Sequence, residues 1–85
     1  MNSEHAPIAL LRNVPIREIV RALEHDGFQF TERQGSQRVY RHLDKRRVVI
    51  HYHRPSEALP PYVIRNLLIG TRWTEDDVRR LGLVK

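Results

Sequence analysis

The chain has 85 residues, no cysteine and a formal net charge of +5 at pH 7, with 40% hydrophobic and 29% charged side chains. That length holds one domain, able to bury about 60–65% of its unfolded surface, and the composition is that of a folded, soluble protein, not a disordered one. Disulfides and thiolate metal sites are excluded, a reducing cytoplasmic setting fits, no apolar run is long enough for a membrane span, and the N-terminal residues do not read as a signal peptide.

Residues 1–13 read as a lead-in without a sustained period, although Ile8, Leu10 and Leu11 offer apolar side chains for packing. The remainder, 14–85, reads as a single domain. Pro15 opens a helical pattern in which Ile16, Ile19, Val20 and Leu23 form one apolar stripe, and Gly27 supplies an end. Phe28 and Phe30 alternate with Gln29 and Thr31 as a first strand, and Gln34-Gly35-Ser36 is turn chemistry. Residues 37–43 and 46–53 follow as a second and third strand joined by a tight turn at Asp44-Lys45. Short connections make the three strands an antiparallel meander.

Pro61 starts a second helix with Val63, Ile64, Leu67 and Leu68 on one stripe, and Gly70 is placed to close it. Thr74 and Asp77 have the spacing of a capping box for a short third helix ended by Gly82, and Trp73 is positioned as a staple before it. The predicted fold class is α+β: a three-stranded antiparallel sheet packed on helices in the order α-β-β-β-α, with a short C-terminal helix.

The charge is unevenly spread. Between Arg33 and Arg54 lie seven basic side chains (Arg33, Arg38, Arg41, Lys45, Arg46, Arg47, Arg54) and one acid, a net +6; the other 63 residues carry −1. Such a patch binds phosphate backbones through counterion release, which points to RNA, and the arginine fork suits two phosphate oxygens. A membrane surface is a poorer fit because the basic segment reads as strands.

An amphipathic helix ending at Asp26-Gly27-Phe28, a Gly35-Ser36 turn before a strand, a basic strand pair, and Leu59-Pro60-Pro61 before a helix together resemble the HicA toxins of bacterial toxin–antitoxin modules. The resemblance spans roughly residues 14–84. It implies a fold like that of double-stranded-RNA-binding domains, ribonuclease activity on mRNA (an mRNA interferase) with no cofactor, and a HicB-like antitoxin as partner. Family members read Gly-Ser-His at the first turn and take that histidine as catalytic. This chain reads Gly35-Ser36-Gln37, and glutamine does not exchange a proton at neutral pH. Gly35 and Ser36 remain expected RNA contacts.

Metal-free RNA cleavage needs a base, an acid and a cation at the phosphate, and histidine suits the first two. Alternation on the third strand places Val48, Ile50 and Tyr52 toward the helices and Arg47, Val49, His51 and His53 away from them. His51 and His53 therefore rank above His42 as a proton-transfer pair. On the second strand either face offers apolar bulk, so its orientation stays open. A His-x-His pair lacks an evident third ligand, so no metal site is expected. Two further readings stand beside the toxin: a catalytically silent RNA-binding module or inactivated toxin, which Gln37 favours, and an interaction protein whose basic surface meets an acidic partner.

Overall fold

A computed structural model describes residues 7–84. Its elements are a 3-10 turn over Ile8–Leu11, helix α1 (Ile16–His25), strands β1 (Gln29–Gln34), β2 (Gln37–Arg41) and β3 (Arg47–His51), and helices α2 (Pro61–Thr71) and α3 (Glu75–Arg80). The strands form one antiparallel sheet in the order β1-β2-β3. This is the expected α+β meander, with strands two and three shorter than expected and the first one longer. Residues 1–6 of the expected lead-in lie outside the described residues. Its remaining part is not loose: Leu11 is fully buried, and Ile8 and Leu10 pack against the core.

Helix α1 buries Ile16, Ile19, Ala22 and Leu23 and exposes Arg17, Arg21 and Glu24. Pro15 caps it without a side-chain hydrogen bond. The free N–H groups of its first turn are satisfied from far along the chain: Ile16 N donates to Glu57 O at 2.7 Å and Arg17 N to Pro55 O at 3.0 Å. The loop after β3 is thereby fastened to the start of α1. At the other end Gly27, at φ +103°, turns the chain into β1, and an added Cβ would stand 2.8 Å from the His42 ring.

The ambiguity on β2 is resolved by packing. Tyr40 lies in the core beside Val48 and Ile50 of β3, which puts Arg38 and Tyr40 on the helix-facing side. Gln37, Val39 and Arg41 face outward opposite His51, Val49 and Arg47. Strand β1 is exposed throughout and carries a bulge between Phe30 and Glu32, a common feature of sheet edges.

Gly70 does not close α2. The helix runs on to Thr71, and Arg72 takes the left-handed conformation (φ 61°) in the glycine's place. Gly70 instead lets α2 touch β3, because a Cβ there would meet Arg47 O at 2.8 Å. The capping box forms as expected: Asp77 N donates to Thr74 Oγ1 at 3.2 Å and Thr74 N to Asp77 Oδ2 at 2.9 Å. Trp73, fully buried, anchors the connection between α2 and α3.

Candidate nucleic-acid interface

The Gly35-Ser36 turn has two residues, since Gln34 pairs with Gln37. Gly35 has φ +60° and Ser36 has no positive φ, the pattern of a hairpin turn with glycine first. Two arginines brace it. Arg33 Nε donates to Gly35 O at 3.0 Å, and Arg38 Nη1 donates to Ser36 O and to Tyr52 O, both at 3.2 Å. The Arg38 guanidinium also lies 4.2 Å from the centre of the Tyr52 ring. The turn and Tyr52, the residue that follows β3, are therefore one braced unit.

The register of β2 and β3 sets Gln37 directly opposite His51 on the outward face. His51 Nε2 is hydrogen-bonded to Ser36 Oγ, with the hydrogen on one or the other according to the ring tautomer. The His53 ring stands edge-on to the His51 ring at 5.6 Å between centroids. His53 N donates to Glu57 Oε1 at 3.2 Å, which fixes the backbone just past β3. Beside the two rings lies a groove of about 380 Å³ that includes Tyr62, which is 70% exposed. Gly35, Ser36, Gln37, His51 and His53 thus converge at one end of the sheet. Among the described residues no three His, Cys, Asp or Glu side chains come together as a metal site.

His42 stands apart from this group. Its Nδ1 accepts from Asp44 N at 3.0 Å, so its Nε2–H donates to Asp26 O at 2.8 Å, and the ring packs on Phe28. Both ring nitrogens serve the fold. Tyr40 is buried in the core, and half-buried Tyr52 has one ring face against the Arg38 guanidinium.

The arginines divide by what they touch. Arg46 is held inside the fold: Nε meets Asp44 Oδ2 at 2.7 Å, Nη1 donates to Thr71 O at 2.6 Å and lies 3.2 Å from Asp26 Oδ2, and the guanidinium covers Phe28. Arg41 reaches Glu32 at 3.8 Å across the outward face. Lys45, Arg47 and Arg54 are exposed, and none forms an ion pair among the described residues.

Asp26 organises this second end. Its carboxylate accepts from Trp73 Nε1 at 3.0 Å and from Arg80 at 3.3 Å, besides meeting Arg46. Burial pushes the carboxyl up, but the hydrogen bonds from Trp73 and Arg80 and the charge of Arg46 outweigh it and hold the group below its ordinary value. Nothing in the local sequence around Asp26 marks this role; it needs partners from residues 46, 73 and 80. Tyr62 was likewise missed, since a tyrosine near a helix start carries no sequence signal of its exposure.

A family model described as the HicA toxin of bacterial toxin–antitoxin modules matches residues 16–71, well over half the chain. Among curated proteins none matches it. The matched stretch runs from the first residue of α1 to the last of α2 and contains the glycine–serine turn, the opposed Gln37 and His51, and the whole basic strand pair. The chain belongs to the HicA toxin family of bacterial toxin–antitoxin systems.

Proposed function

We propose that this toxin binds mRNA across the outward face of β2 and β3 and cleaves it beside His51, and that a HicB-like antitoxin neutralises it by covering the same basic face. The observation that carries the reading is the Ser36–His51 hydrogen bond at the position directly opposed to Gln37. The proton-transfer group that the family resemblance expects at residue 37 stands one strand across, on the same face.

His51 takes the proton of a ribose 2′-hydroxyl, and the oxygen attacks the adjacent phosphorus. The bond from phosphorus to the 5′-oxygen breaks, His53 gives that oxygen its proton, and the products are a cyclic phosphate and a free 5′-hydroxyl. The Gln37 amide donates to a phosphate oxygen, and Arg54, one residue from His53, offsets the developing charge. Ser36 orients the His51 ring and is a positioning residue.

A catalytically silent RNA binder is the competing reading, favoured by Gln37 itself, which carries no proton to exchange. Incubation of the purified protein with RNA, beside His51→Ala and His53→Ala, separates the two. Cleavage lost in His51→Ala supports the proposal. Binding without cleavage by the natural chain supports the silent module, and neither binding nor cleavage removes RNA from the account.

A further inference from the structure

A pocket of about 260 Å³ opens at the opposite end of the sheet from the histidines, where the β2–β3 turn meets the end of α2. Lys45, Arg47 and Arg72 stand on its rim, all exposed, and none forms an ion pair among the described residues. Asp44 and Arg46 also line it, but these two are bound to each other at 2.7 Å, so the acid does not offset the three free cations. The pocket is smaller than the roughly 300–1,000 Å³ of small-molecule sites and suits a hydrated phosphate group.

Two features show how the fold builds it. Gly70 brings α2 against the Arg47 carbonyl, and so sets Arg72 beside the start of β3. In addition, Lys45 (φ 82°) and Arg72 (φ 61°) are in the left-handed backbone region, where glycine is favoured. Among the described residues Asn13 alone shares that state without being glycine, and asparagine tolerates it well. The chain thus carries a cation at each of two positions where glycine is less strained, and both residues border one pocket.

We propose that this pocket is a second phosphate site for RNA, with Arg72 as its new member, and this rests on the RNA reading above. Arg47 and His51 share the outward face of β3, four residues apart, or about 13 Å at the rise of a strand. One RNA strand lying along β3 would place one phosphate at the histidines and another, a few nucleotides away, between Lys45, Arg47 and Arg72.

The test is anisotropy of a labelled single-stranded RNA of about 12 nucleotides across a salt series. Each lost phosphate contact flattens the slope of log affinity against log salt by about 0.7. Arg72→Gln is expected to flatten it by about that amount. Arg72→Gly is expected to do the same while raising the melting temperature, because it relieves the backbone. Arg21→Gln, on the exposed face of α1, is expected to leave the slope in place. An unchanged slope in both Arg72 variants, with RNA still bound, overturns the second site and leaves the RNA reading standing. Equal flattening by Arg21→Gln overturns it too, since bulk charge then suffices. Absence of salt-dependent binding by the natural chain overturns both.

Discussion

The indole of Trp73 donates its Nε1–H to Oδ2 of Asp26 at 3.0 Å, joining the end of α1 to the connection between α2 and α3. The same carboxylate meets Arg46 and Arg80, while the Asp26 carbonyl accepts from His42. One aspartate thus holds the β2–β3 turn, α1 and α3 together. Asp26→Ala is expected to destabilise the protein by about 3 kcal/mol, because it leaves the buried indole without its acceptor and removes one of the two carboxylates that hold Arg46. Asp26→Asn keeps an acceptor for Trp73 and should cost about half as much. Urea unfolding followed by Trp73 fluorescence measures both.

Acid should act through the same residue. Asp26, Asp44 and Asp77 are all held below the ordinary carboxylate value; in each, desolvation raises the pKa and hydrogen bonds and nearby cations more than reverse it. A depressed pKa means the unfolded chain binds more protons, so stability rises with pH through this range. The contribution is complete above the unfolded value of 3.8 and is lost as pH falls through the lower folded values. Urea midpoints from about pH 6 to about pH 2 should drop steeply at the acid end, and Asp26→Asn should make that drop shallower.

Restoring a histidine at residue 37 should arm the turn. Gln37→His places a second imidazole directly across from His51, and a positioned acid or base is typically worth about 10²–10⁴ in rate. Cleavage of an RNA oligomer should rise accordingly, and the bell-shaped pH profile expected of the His51–His53 pair should change with the added imidazole. No gain in rate would show that the outward face at this position is not where the phosphate reacts.

Gly70→Ala tests the contact between α2 and β3. Helix propensity alone favours alanine by about 1 kcal/mol. The new Cβ, however, would meet Arg47 O at 2.8 Å and Val48 Cγ2 at 3.1 Å, and the first of these is backbone that cannot swing aside. Overpacking wins, and a net loss of about 1–2 kcal/mol in urea unfolding is expected.

Much of the fold was legible because its signals are local. The stripe from Ile16 to Leu23, the Gly35-Ser36 turn and the Thr74–Asp77 box each need only a few neighbouring residues to declare themselves, and each formed. Gly70 was misread because its value lies in what it touches on β3, not in its own backbone freedom. The outward placement of His51 followed from alternation, but its bond to Ser36 depends on the register between two strands. Arg46 shows the limit of composition. Within a basic run it looks like any other arginine, and only the fold sets Asp26, Asp44 and Thr71 around it.

The first turn of α1 has no cap of its own, and its amides are held by the carbonyls of Pro55 and Glu57. A chain synthesised from its N-terminus therefore makes all its histidines and the whole Arg33–Arg54 patch before the carbonyls that hold this turn exist. A product cut short at residue 54 would carry every residue proposed for the chemistry and lack the clasp that holds the end of β3 to α1. Such a fragment is expected to hold the end of the sheet that carries His51 less firmly than the full chain does.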